Sequence, residues 1–152
     1  MNTFYPAYFK TRFYAEKGPN KFPNNGVILS AFATTGQVWS SEKNRQADLD
    51  LEGLLRTFTN KYLWRLIGYS PDDQHAEPSW LIDLDCQIAC EIGLRFEQDA
   101  LYGIEEGELL VVRCNDAADR ARVGRFDQRI DWLEPQLLRE RLERCWPISL
   151  EL

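Results

Sequence analysis

The chain has 152 residues, 44% hydrophobic and 28% charged, which suits one globular domain that buries its own core without disulfides or metal. A net charge of −6 and a pI near 4.9 leave no basic patch to displace counterions from phosphates, so direct nucleic-acid binding is not expected. No apolar run nears the roughly 20 residues that span a bilayer, and residues 1–10 lack the basic-then-apolar pattern of a signal peptide.

A soluble cytoplasmic protein is therefore expected, as a monomer or homodimer. Cys86, Cys90, Cys114 and Cys145 form no CxxC pair and no secreted-scaffold spacing, which reads as free thiols in a reducing compartment. The acidic balance serves solubility, or offers a face to a protein partner with a basic surface.

Pro6 suits the first turn of a short helix. Residues 11–15 are rich in β-formers and read as a short strand. Gly18-Pro19-Asn20 and Pro23-Asn24-Asn25-Gly26 punctuate a loop over 17–26. The apolar run over 27–34 predicts a strand buried on both faces. Ser40 or Ser41 then caps a helix with Glu42 in its first turn. Ala47, Leu51, Leu54, Leu55 and Phe58 fall on its apolar face, with Arg45, Asp48, Glu52 and Arg56 opposite.

Residues 62–69 predict a second strand and 70–78 a polar connection. Residues 80–84 predict a third strand, antiparallel to the second. Asp85 caps a helix with Ile88, Ala89, Ile92 and Phe96 on one face. A fourth strand over 100–104 turns at Glu105-Glu106-Gly107 into a hairpin strand over 108–113. Residues 115–152 hold seven Arg, no Lys and eight Asp or Glu. Within them 116–122 reads as weakly helical. Residues 134–145 read as a firmer helix, with Pro135 at its start and Leu138, Leu142, Cys145 and Trp146 on one stripe; Pro147 stops it.

The order predicts an α+β fold with a ferredoxin-like split βαβ core (βαββαβ), an extra C-terminal hairpin strand and an appended helical tail. The whole of 1–152 reads as a single domain. Residues 1–26 form an N-terminal helix, strand and loop, 27–113 the core, and 114–152 the helical tail packed on it. In that topology five chain segments meet at one end of the sheet. Their polar members are Thr34, Asn44, Glu77, Ser79 and Gln98, the expected ligand-binding residues.

Glu77 is the candidate general acid or base, and its plainer role is a solvated loop carboxylate. His75 with Asp72, Asp73 and Glu77 contains metal-ligand types, but a loop facing water is the simpler reading, so no metal or cofactor is expected. Ser79, Glu77 and His75 supply the residue types of a hydrolytic triad, yet no G-x-S-x-G elbow is present, nor any phosphate-cradling glycine loop. Asn44 and Gln98 suit either hydrogen bonding to a ligand or tying loops together. Cys86 and Cys90, four apart on a helix without an evident basic neighbour, read as packing residues.

The succession Thr34, Ser41-x-x-Asn44, Gly68, Glu77-Pro78-Ser79-Trp80 and Phe96-x-Gln98-x-Ala100 resembles a bacterial family of unknown function, DUF3293. Ala7-Tyr8-x-x-Thr11-x-Phe13 is similar to the start of that family, and the resemblance covers roughly residues 5–113. It implies a shared fold and a shared site, with no activity to transfer. Two departures lie at the site. Thr34-Thr35-Gly36 stands where the family has Thr-Ala-aromatic-Asn-Pro, and Glu97 stands where it has Gly.

The expectation is a small acidic binding protein of regulatory, immunity or inhibitor type. It recognises a small polar ligand or a protein partner at the loop-rich end of the sheet. The alternative is an enzyme acting on a nucleotide or other phosphorylated metabolite with Glu77 as acid or base. A rival surface is the sheet face that the helices leave open, towards which Trp64 or Trp80 would point.

Overall fold

A 3₁₀ turn, Pro6–Phe9, leads into β1 (Arg12–Glu16). The chain continues through β2 (Gly26–Leu29), α1 (Ser41–Leu55), β3 (Leu63–Tyr69), β4 (Ala76–Ile82), α2 (Cys86–Arg95), β5 (Ala100–Glu105) and β6 (Glu108–Arg113). It ends with β7 (Asp116–Arg125), β8 (Ile130–Leu133) and α3 (Pro135–Arg144). The computed structural model describes residues 4–18, 22–33, 38–58, 62–72 and 75–146. Among these, all eight strands join one mixed, curled sheet in the order β7-β6-β5-β2-β4-β3-β1-β8. Every neighbouring pair is antiparallel except β1 and β8, which run parallel from Phe13–Ile130 to Glu16–Leu133.

The helix starts follow from their caps. Ser40 Oγ accepts from Lys43 N at 3.1 Å, and Asp85 accepts from Gln87 N and Ile88 N at 3.0 and 3.2 Å. The predicted turn at 105–107 places Glu106 and Gly107 at φ 49° and 81°, the left-handed pair of a tight hairpin.

Helices α1 and α2 bury Leu51, Leu55, Ala89 and Ile92 against Val27, Leu29, Trp80 and Ile82 of the sheet. Each such aliphatic side chain, fully buried, contributes about 1.5–3 kcal/mol. Strand alternation sends Phe13, Ile28, Leu66, Leu81, Ile104 and Leu109 to the other face, where Phe126 and Ile130 complete a second core. Trp64 packs on that second face and Trp80 on the helix side.

Several elements differ from the sequence-based expectation. The first core strand ends at Leu29, because side chains take over its backbone partners. Ser30 Oγ accepts from Phe32 N at 3.1 Å, and Asn44 Oδ1 accepts from Ala33 N at 2.8 Å. The third core strand begins at Ala76, not at residue 80. Pro78 is tolerated there because β2 leaves the ladder at the Leu29–Trp80 pair, before reaching it.

Residues 116–122 belong to a strand, not a helix. Pairing with β6 overrides the helix preference of the three alanines, and the strand alternates between exposed and half-buried positions. The segment after residue 114 is therefore not a helical tail. It supplies β7 and β8 to a sheet larger than expected, and among its described residues only α3 is α-helical. Asp48, expected on the outer face of α1, lies in its buried stripe with Asn44, Leu51 and Leu55.

The sheet curls because its two edges are tied. Strands β7 and β8 lie at opposite ends of the order, yet only residues 126–129 connect them. Five Cα steps reach at most about 18 Å. Arg129 fastens the junction, donating to the carbonyls of Phe9, Thr11 and Val123 at 2.8, 3.3 and 3.1 Å. The concave face of this curl holds the second core and, at one end, a cavity.

Candidate functional site

The cavity has a volume of about 340 Å³ and lies where β3 ends and β4 and β5 begin. Its roof is the N-terminal turn, through Tyr5, Pro6, Ala7 and Tyr8. Its floor is Phe13, Ile28 and Leu101. Thr11, Ser30, Tyr69, Ser70, His75, Glu77, Ser79, Gln98 and Tyr102 bring polar atoms to it.

The period of two along β4 puts Glu77 and Ser79 on the concave side, while Trp80 packs towards the helices. Glu77 is a third exposed at the mouth and accepts from His75 Nε2 at 2.9 Å. Ser79 is buried, and its hydroxyl donates to the Glu77 carbonyl at 3.2 Å. Gln98, at the corner between α2 and β5, donates both amide hydrogens to backbone, reaching the Phe32 carbonyl at 2.7 Å and that of Phe96 at 3.1 Å. Tyr102 Oη donates to the Tyr8 carbonyl at 2.8 Å and lies 2.8 Å from Thr11 Oγ1. Burial pushes the Tyr102 phenol above the ordinary tyrosine range and outweighs the hydrogen bond from Thr11, which acts in the opposite direction.

Of the five residues expected at this end, Glu77, Ser79 and Gln98 line the cavity together. Asn44 is buried and not among the lining residues; it holds Ala33, next to the segment that Gln98 grips. Thr34 lies outside the described residues, as does Asp73.

Asp72 forms an exposed ion pair with Lys10 at 2.9 Å, so it does not join His75 and Glu77. Among the described residues no three His, Cys, Asp or Glu side chains form a metal-holding group. The composition of the chain did not point to Tyr8, Thr11 and Tyr102. The first two belong to the Ala7-Tyr8-x-x-Thr11-x-Phe13 stretch, which was the available signal.

The thiols lie elsewhere. Arg120 of β7 reaches within 3.7 Å of Cys86 Sγ, a basic neighbour that helix spacing does not reveal. Burial raises the thiols of Cys90 and Cys114 to about 12 and that of Cys145 to about 11.

The fold and cavity define an α+β protein with a small, aromatic-walled pocket at one end of a curled sheet. Residues 29–101 match the model of DUF3293, a protein family of unknown function, and the match supports assignment of the chain to that family. The matched span includes Asn44, Glu77, Ser79 and Gln98, whereas the roof residues and Tyr102 lie beyond it. No curated protein and no solved structure matches the chain. No helix among the described residues is long and apolar enough to cross a membrane.

Proposed function

We propose that the chain is a binding protein that takes a small polar ligand into the cavity beneath Pro6–Phe9. The observation that carries this reading is the meeting of Glu77, Ser79, Gln98 and Tyr102 around one cavity of about 340 Å³ with apolar and aromatic walls. That size falls at the lower end of ligand pockets, about 300–1,000 Å³. The described lining contains no Lys or Arg, which weighs against a nucleotide or other phosphorylated ligand.

We also take the central strands as ferredoxin-like. Their order β5-β2-β4-β3, antiparallel throughout, and the placing of α1 and α2 on one face support that reading. The pairing of β1 with β8 supports treating 1–152 as one domain.

The test is native mass spectrometry of the purified protein after incubation with metabolite pools. Wild-type protein retains a small molecule, and Ser79→Leu, which fills the cavity, loses it while keeping its far-UV spectrum and cooperative melting. Equal retention by a folded Ser79→Leu protein sinks the proposal.

An acid–base role is the second reading, favoured by the His75–Glu77 hydrogen bond at the cavity mouth. It requires turnover of the retained molecule by wild-type protein and loss of turnover in Glu77→Gln.

A further inference from the structure

Much of the cavity wall has its hydrogen-bond donors engaged by the protein itself, the hydroxyls of Ser30 and Ser70 being the exceptions. Gln98 has both amide hydrogens engaged by backbone carbonyls, which leaves its oxygen as the group a ligand can meet. The Ser79 hydroxyl hydrogen goes to the Glu77 carbonyl, and Tyr102 gives its hydrogen to the Tyr8 carbonyl. Thr11 gives its hydrogen to Tyr102 Oη, 2.8 Å away, with the Ala7 carbonyl also at 3.2 Å, and Tyr69 donates to Asp131. What these side chains still offer is lone pairs. Glu77 adds a carboxylate of which His75 Nε2 meets only Oε1.

The charge and the rings point the same way. Glu77 is the only carboxylate among the described lining residues, and no Lys or Arg balances it there. Two cations of neighbouring segments are engaged elsewhere, Arg129 donating to three backbone carbonyls and Lys10 pairing with Asp72, whereas Arg141 and Arg144 line an adjoining pocket that shares Tyr69, Ser70 and His75. Aromatic rings from the roof, β1, β3 and β5 surround the space. A cation within about 6 Å of a ring centroid gains about 0.5–2 kcal/mol from the negative face of the ring. The acceptors of Gln98, Ser79 and Tyr102, one anion and several π faces are complementary to a ligand that donates hydrogen bonds and carries positive charge.

We propose that the cavity receives the ammonium end of a small organic amine, with Glu77 as its counter-ion and Gln98 Oε1 among its acceptors. The proposal rests on the ligand-binding reading above and names the class of ligand. A phosphate or carboxylate ligand would meet the Glu77 charge and lone pairs without a donor from Gln98, Ser79 or Tyr102. A neutral alcohol would fill the space but bring no charge to the carboxylate beyond its single contact with His75.

The test is titration of wild-type protein with benzylammonium, benzyl alcohol, benzyltrimethylammonium and benzoate, read by calorimetry and by NMR shifts of residues around the cavity. Benzylammonium is expected to bind about tenfold or more tighter than benzyl alcohol. Benzyltrimethylammonium, which keeps the charge but has no N–H, falls between them, and benzoate does not bind. Glu77→Gln, confirmed folded by its spectrum, removes the preference for benzylammonium over the alcohol.

If benzyl alcohol or benzoate binds the cavity as tightly as benzylammonium, the amine assignment falls while the ligand-binding reading stands. If none of the four shifts the cavity residues, the amine assignment also falls, and the retained-metabolite experiment with Ser79→Leu decides the broader reading by itself. A preference that survives Glu77→Gln overturns the role given to that carboxylate.

Discussion

The side-chain amide of Gln98 donates to the carbonyl of Phe32 at 2.7 Å across 66 positions of chain. The same amide reaches the Phe96 carbonyl, so one buried side chain fixes the corner before β5 and the segment after β2. Gln98→Ala leaves the Phe32 and Phe96 carbonyls without this donor and is expected to lower stability by about 1–3 kcal/mol. Glu77→Gln replaces one member of a partly exposed pair and is expected to change stability by less than about 1 kcal/mol. Urea denaturation of the two variants separates Gln98, which also ties the fold, from Glu77, which does not. Equal midpoints for Gln98→Ala and wild type would refute the tying role.

Asp48 and Arg65 form a two-toothed ion pair between α1 and β3, with side-chain exposures of 6% and 17%, and the guanidinium lies 4.1 Å from the centre of the Trp80 ring. Removing one partner leaves a charge in the core. Asp48→Ala is expected to cost about 3–5 kcal/mol. Combining Asp48→Leu with Arg65→Met replaces both charges by apolar groups and should recover most of that loss. Denaturant midpoints of the single and double variants decide it, and a double variant weaker than Asp48→Ala would refute the pair as the source of the cost.

Asp131 of β8 is gripped by Arg12 Nε and Nη2 at 2.9 and 3.1 Å and by the Tyr69 hydroxyl. Those donors, Arg12 first, hold its carboxyl below the usual aspartate value. A depressed folded value means the stabilisation is complete above the unfolded value of about 3.9 and fades as pH falls through the folded one. Asp131→Asn is therefore expected to be weaker than wild type by about 1 kcal/mol at neutral pH, a figure discounted because a third of the side chain is exposed. The gap should close in acid. Urea midpoints at neutral and acid pH test this, and a gap that widens in acid would be the wrong sign.

Cys90 and Cys114 are buried, with thiols pushed up to about 12, whereas Cys86 is half-buried beside Arg120. Thiolate is the reactive form. Alkylation of native protein at mildly alkaline pH should label Cys86 well before Cys90 or Cys114, as followed by peptide mass spectrometry. Earlier labelling of Cys114 would show that the core around it opens.

Local signals located what local physics decides. Ser40 and Asp85 cap α1 and α2 as their positions suggest, and Glu106-Gly107 turns the hairpin. Glu77, Ser79 and Gln98 were legible as neighbours because strand direction alone brings their segments to one end. Asp48 was misplaced because its partner, Arg65, is 17 positions away, and helical periodicity treats every aspartate as solvent-facing. Strand β7 was missed because alanines favour helix until a neighbouring strand is present. Tyr102 and Thr11 were missed because they meet across 91 positions, and only the curl of the sheet makes them neighbours.

The parallel pairing of β1 with β8 has a consequence for the newborn chain. Strand β1 can dock on β3 once residue 69 has been made, but its other edge stays bare until residues 130–133 emerge. At about 5–20 residues per second, that edge waits several seconds or longer. During this interval Arg12 lacks its carboxylate partner, and a row of unpaired backbone groups is open to other chains. Arrival of β8 covers that edge and ties Arg12 to Asp131, while the short four-residue β8 becomes the new end of the sheet.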